Sequence, residues 1–195
     1  MTKVSLPPTN AFCPQALFLY GTDKPDGRPN FGLFCWFSYY WDTELKVMAC
    51  IGGDKQTKDQ IHRTGVFSAC MVTERLLPIA DYLGNTDGYR ADKMEISVQI
   101  ERGAVLPVPV LADSPWCFEL EVINRFEMDG GEIYHCVIRN VLADERLSDE
   151  KLDLDERMRL ASPVVTAGIQ RYFSLNSHSI GAWGQWKHLR EEGTH

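Results

Sequence analysis

The apolar and polar positions along the chain predict a β-rich protein centred on the block between Asn30 and Gly65. Residues 31–41 are almost wholly aromatic or aliphatic, and residues 47–51 form a second apolar run. Both are far shorter than the ~20 apolar residues that span a bilayer, so they read as buried strands. Gly52, Gly53 and Asp54 then break the sheet. Thr57, with Gln60 three residues later, has the pattern of a capping box, and Gly65 supplies the stop of a helix of about two turns. A hydroxyl, a lysine (Lys58) and free backbone N–H groups thus meet at a helix N-terminus, where the helix dipole favours a phosphate.

Around this block, residues 1–11 are rich in proline and polar groups and read as an irregular arm, residues 16–20 as a first strand, and residues 21–29 as a loop. Residues 66–72 form another apolar strand. Residues 76–83 look helical and end at Gly84, and Asp92 and Lys93 have the composition of a second helix start. Pro107 and Pro109 restrict residues 105–111 to an edge strand or an extended connection. From Trp116 the alternation is regular, with Trp116, Phe118, Leu120 and Val122 on one face and Cys117, Glu119 and Glu121 on the other, which predicts a half-buried strand. Asp129, Gly130 and Gly131 supply a hairpin turn, and residues 133–141 return as its partner. Residues 144–160 are charged throughout and read as a solvated connector or surface helix. The tail turns aromatic again at Tyr172, Phe173, Trp183 and Trp186 and is expected to pack on the barrel or on a second subunit. Six or so strands with two or three short helices describe a mainly β (α+β) fold, an antiparallel barrel with helical insertions.

Composition narrows the function. At 195 residues the chain reads as a single domain, residues 1–195, with an ordinary globular composition. The net charge of −7 argues against nucleic acid or an anionic membrane as the main partner. The six cysteines are widely spaced and none forms a Cys-x-x-Cys pair, so they read as small buried hydrophobes rather than metal ligands. The longest apolar run near the N-terminus, residues 16–20, is shorter than a secretory h-region, which predicts a cytoplasmic, reduced protein. The dinucleotide fingerprint, the Walker loop, the G-x-S-x-G elbow and the H-E-x-x-H zinc motif are all missing.

Several stretches, in their order and spacing, carry a resemblance. They are Asn30 with the strand through Cys35, Trp36, Phe37 and Ser38; the T-K-D-x-I-x-x-x-G-x-F run from Thr57 to Phe67; Ala80-Asp81-Tyr82-Leu83-Gly84; Gly88 ahead of Asp92 and Lys93; and Pro163 with Tyr172 and Phe173. Over roughly residues 10–185 the chain resembles the flavin reductase-like family with the FMN-binding split barrel, and within it the flavoredoxin branch. The resemblance implies FMN held at a homodimer interface. The main chain of Trp36–Ser38, preceded by Cys35, would edge the isoalloxazine ring with Asn30 nearby, and Thr57 and Lys58 would hold the phosphate. Lys93 would lie near ring or phosphate, where a cation favours the anionic reduced flavin. His135 and Phe173 would complete the pocket. A flavin needs a flat apolar slot and an anion site, and no catalytic side chain or metal.

Two redox readings follow: a reductase that takes hydride from NAD(P)H, and a flavoredoxin-like carrier that exchanges electrons with a redox protein. A third is a flavin-free split barrel serving as a binding or structural module. It draws on departures from the family pattern, with Cys70 where asparagine is common and Asp87 where serine or threonine precedes the loop glycine. Met94 likewise stands where phenylalanine is usual. Trp36 also suits core or dimer-contact bulk, and Asp81 suits a helix surface.

Overall fold

The computed structural model describes residues 2–168, 171–175 and 178–182. Seven strands form the central sheet: β2 (Phe18–Asp23), β3 (Pro29–Phe34), β4 (Phe37–Trp41), β5 (Leu45–Gly52), β6 (Val66–Met71), β9 (Trp116–Met128) and β10 (Gly131–Ala143), in the order β3-β2-β6-β9-β10-β5-β4. Every ladder in it is antiparallel. The two outermost strands, β3 and β4, are consecutive in sequence and separated only by Cys35 and Trp36. The sheet must therefore curl until its edges meet, and covalent chain rather than a ladder closes the barrel. This is the mainly antiparallel split barrel that the sequence predicts.

Two cores explain the apolar runs. Phe18, Tyr20, Phe37, Val47, Ile51, Phe67, Phe118 and Leu120 fill the barrel, where the Phe18 and Phe37 rings lie 4.3 Å apart. On the outer side of β2 and β6, Leu19, Phe31, Cys70 and Val72 pack against α2 (Leu77–Asn85) and the small β7–β8 sheet (Ile100–Arg102 and Pro109–Leu111). Strands β2 and β6 are thus covered on both faces, which is why they lack a polar side. The same cover makes the first half of β9 buried on both faces rather than half-buried. Glu119 is fully enclosed there. Its carboxylate accepts the backbone N–H groups of Ala104, Val105 and Leu106 and the Asn140 amide. Burial alone would raise this carboxyl, but those donors hold it below the ordinary range.

Strand β1 (Gln15–Ala16) joins β11 (Val164–Ala167) and β12 (Arg171–Ser174) in a separate sheet. The charged connector folds into a short 3-10 turn (Glu145–Ser148) and α3 (Leu154–Ala161), which starts with a complete capping box between Asp153 and Glu156. The arm 2–11 is almost wholly exposed, and the Asp129–Gly130 turn closes β9 onto β10. Trp183 and Trp186 lie outside the described residues. All six cysteines are free. Among the described residues no helix is long and apolar enough to cross a membrane.

Four local expectations change. The 31–41 run is two strands, and its second half is largely exposed, with Tyr39 49% and Trp41 73% accessible. Helix α1 (Gln56–Thr64) is capped by extended backbone at Lys55, not by Thr57, although its Gly65 stop is left-handed as expected. Helix α2 continues through Gly84, whose lack of a side chain serves close packing: a Cβ there would lie 2.7 Å from the Leu33 Cβ. Residues 91–94 form turns and no helix. Both carboxylate oxygens of Asp92 are engaged by Arg90 instead of capping a helix.

Candidate functional site

Where the chain crosses from β3 to β4, the Cys35–Trp36 link leaves the barrel wall open. Opposite it stand Gly52 and Gly53, the N-terminus of α1, and the end of α2 with its following loop. Between them lie two hollows, of about 740 and 530 Å³, that share Leu33, Phe34, Lys55, Gly84 and Asn85 and so form one cleft.

The larger hollow is mostly apolar. Trp36 forms one wall, packed so closely over Gly52 that a Cβ there would lie 3.2 Å from the indole. The Trp36 carbonyl accepts the Cys50 N–H at 2.8 Å, which fixes the crossing to β5. Cys35 and Cys50 both line this hollow, and Tyr172 of β12 closes it, its hydroxyl donating to Asp81 Oδ1 at 2.6 Å. Asp81 is therefore a positioning partner for that ring.

The smaller hollow is polar and carries two lysines, Lys55 and Lys93, and two carboxylates, Asp54 and Asp87. Thr57, Gln56, Lys55, Gly88 and Lys93 line it. Lys93 is only 3% exposed and has no hydrogen-bond or ion-pair acceptor among the described residues. Burial first, then the neighbouring Lys24 and Lys55 ammoniums, pull it down to about 8, against the opposing pull of Asp87. The Asn30 amide donates to Thr57 Oγ1 at 3.4 Å and to Gln60 Oε1 at 3.3 Å. Its own Oδ1, and Gln56 Oε1, are buried without a donor. The position of a Cβ on Gly88 lies 3.5 Å from each of these two oxygens, so the glycine keeps them reachable. The first amides of α1 add unpaired donors, since Gln56 and Thr57 precede the helical ladder. Such a place can hold an anion that also carries hydroxyl donors.

Of the residues singled out from sequence, Cys35, Trp36, Thr57 and Lys93 line the cleft, and Asn30 supports Thr57 from behind. The Phe37 ring belongs to the barrel core, leaving only its backbone near the crossing, and Ser38 sits on the outer face beside Trp36. Lys58 faces away from the cleft, 4.0 Å from Glu132 Oε1, in a cluster where His62 and Tyr134 also bind Glu132. His135 lies outside on β10 against Tyr40 and Phe126. Phe173 points away on β12 and is half exposed. The cleft gains Lys55, Gln56, Cys50, Asn85 and Tyr172, none of which was singled out for a site role. Strand parity separates Tyr172 from Phe173, and the extended backbone at Lys55, ahead of the helix that holds Lys58, separates the two lysines. Cys70 lies in the outer core with its sulfur accepting the Leu111 N–H at 3.4 Å, away from the cleft. Met94 packs against the same core. Asp87 does line the cleft, and its Oδ1 accepts the Tyr89 N–H at 3.0 Å.

Comparison with known proteins agrees with this architecture. The family profile described as flavin reductase like domain matches residues 11–162. Among solved structures, the flavoredoxin of Desulfovibrio vulgaris (Miyazaki F) is 23% identical with a TM-score of 0.83, over 94% of this chain and 99% of that one. A flavoredoxin from Methanosarcina acetivorans is 16% identical with a TM-score of 0.83, over 97% and 100%. An FMN-binding protein from Thermus thermophilus is 17% identical with a TM-score of 0.75, over 93% and 98%. No curated protein is similar enough in sequence to match. With a profile match across most of its length and a split barrel closed through Cys35 and Trp36, the chain belongs to the flavin reductase-like family.

Proposed function

We propose that the cleft binds FMN and that the protein passes electrons between that flavin and NAD(P)H or a redox partner. The observation that carries this reading is the buried Lys93 side chain, on the hollow's lining and without an acceptor among the described residues, set beside the unpartnered Asn30 Oδ1 and Gln56 Oε1. A phosphate would satisfy the ammonium, and ribityl hydroxyls would satisfy the two oxygens. Lys55, Lys93, Thr57 and the first amides of α1 would hold the phosphate end. The ring would enter the apolar hollow between Trp36, Leu33 and Tyr172. When bound, FMN supplies one- and two-electron redox chemistry. The protein's part is to bind, orient and shield it, and no side-chain acid is required.

The same reading makes the protein a homodimer, with the second copy covering one face of the barrel. Strand register places Trp36, Cys50, Ile133 and Phe126 in one outward row and Ser38, Met48, His135 and Asn124 in the next. Trp36, Met48 and Phe126 are each about two-fifths to one-half exposed. This apolar face runs directly into the cleft through Trp36 and Cys50, and patches of this kind are commonly interfaces. His135 and Ser38, which do not reach the cleft of their own chain, would lie within that contact.

The test is to load purified protein with FMN and mix it anaerobically with NADH or NADPH while following the flavin bands. Bleaching at a catalytic rate supports the reductase reading. Flavin that is retained but reduced only by dithionite or a reduced redox protein supports the carrier. Failure to retain or bind any flavin overturns both and leaves a flavin-free module.

A further inference from the structure

A second hollow, of about 850 Å³, opens at the end of the barrel and shares no lining residue with the flavin cleft. Phe18, Trp116, Phe118, Ile138 and Val141 form its floor, and α3 forms the opposite wall. Leu154, Arg157, Met158 and Ala161 recur at helical spacing along α3, so one stripe of that helix faces the barrel mouth. The stripe stands off the floor instead of packing into it, and Leu154 remains 66% exposed. The volume falls in the range of sites that enclose a small organic molecule, and so does the character of the lining, aromatic and aliphatic with few polar groups.

Among the described residues, two charged side chains border this hollow. Glu44 lies on the rim, half-exposed, 3.8 Å from the Lys46 ammonium that Asp42 holds more closely. Arg157 has no ion pair among the described residues, and its Nε is enclosed without an acceptor. An enclosed guanidinium N–H beside an apolar chamber is disfavoured unless an acceptor enters with the apolar ligand.

We infer that this groove binds an amphipathic carboxylate, its acyl or aryl body lying against Trp116, Phe118 and Ile138 and its anionic end accepting from Arg157. The proposed occupant is a small molecule: the hollow is concave, and among the described residues the unsatisfied group on its lining is the Arg157 Nε, which calls for an anionic end. It is independent of the flavin: a ligand here would adjust α3 and the adjoining barrel mouth without entering the cleft.

Octanoate and 1-octanol are suitable probes, since they share the apolar body and differ in the charged end. Full-length protein is titrated with each, by calorimetry and by tryptophan fluorescence. Octanoate is expected to bind saturably at one site per chain, with a fluorescence change that disappears in Trp116→Phe. Arg157→Met keeps the aliphatic stem on an exposed helix. It should weaken octanoate about tenfold or more, the loss of a charge-assisted contact, and leave 1-octanol within about twofold. Met158→Trp should block both probes by filling the groove. Saturating FMN should leave octanoate affinity unchanged, which keeps failure here distinct from failure of the flavin reading. Absence of saturable octanoate binding, equal loss of both probes in Arg157→Met, or displacement by FMN would overturn the inference. So would a dimer that dissociates in Met158→Trp, which would make the second copy the occupant.

Discussion

Replacing Lys93 by methionine separates two effects that ordinarily move together. Its side chain is almost wholly buried, lies near Lys24 and Lys55, and has Asp87 as the opposing charge, with Asp54 also on the lining of the hollow. A drop from 10.5 to about 8, discounted for the solvent that reaches the cleft, corresponds to about 1–3 kcal/mol disfavouring the charged form in the folded protein. Between about pH 8 and 10.5 the unfolded chain holds more protons than the folded one, so this group makes stability rise with pH across that window. Below pH 8 the folded protein carries the whole penalty. Lys93→Met retains the apolar stem and deletes the charge. The flavin-free variant should therefore be more stable at pH 7 by about 1–3 kcal/mol, and its advantage should vanish toward pH 10.5. FMN affinity should move the other way, about tenfold to a hundredfold weaker, because a charge-assisted contact to phosphate is lost. For the native protein, binding a phosphate dianion raises the Lys93 pKa, so FMN affinity should decline as pH climbs above about 8. Urea unfolding of both proteins at pH 7 and 9.5, with and without FMN, reads all of these quantities. A flavin-free variant less stable than the native protein at pH 7, or an unchanged FMN-induced stabilisation, would refute the reasoning.

Further substitutions test the neighbouring assignments. Lys55→Met should weaken FMN about tenfold, whereas Lys58→Met, which disturbs only the Glu132 cluster, should change it less than about threefold; fluorescence titration of the two variants compares them directly, and the reverse order would place the phosphate on the far side of α1. Asp87→Asn removes the carboxylate that faces the same anion site, and FMN should bind several-fold more tightly, with weaker binding contradicting that placement. Glu119→Gln leaves three backbone donors facing an amide and should cost about 2–4 kcal/mol in urea unfolding, with a loss under about 0.5 kcal/mol showing that the 104–106 loop does not depend on it.

Strand content was legible because apolar runs and alternation survive translation into a barrel, and the Asp129–Gly130 turn carries its own chemistry. The site was legible in part. Thr57 is a cleft residue, but its spacing to Gln60 imitates a capping box while both side chains are drawn into the buried network around Asn30 and Thr22. Lys55 precedes α1 in extended backbone while Lys58 lies within the helix, so where the helix begins decides which lysine faces the cleft. The burial of Lys93 depends on residues 24, 55 and 87, far apart in sequence, so no local pattern could report it. Exposed Tyr39 and Trp41 fell in a run read as buried strands because an apolar run looks the same whether it fills a core or faces a partner. Glu119 shows the converse, a charged residue on the expected solvent face that is fully enclosed by a loop packed over it.

The most direct measurement is a paired titration of flavin-free protein with FMN and with riboflavin, followed by flavin fluorescence. The two ligands share the ring and ribityl chain and differ in the phosphate. A cleft whose polar end is built from Lys55, Lys93, Thr57 and the start of α1 predicts one FMN per chain and riboflavin at least about tenfold weaker. The gap should close in Lys93→Met. Equal affinity for the two ligands would place the phosphate outside the smaller, polar hollow, and no binding of either at tens of micromolar would contradict the flavin assignment itself.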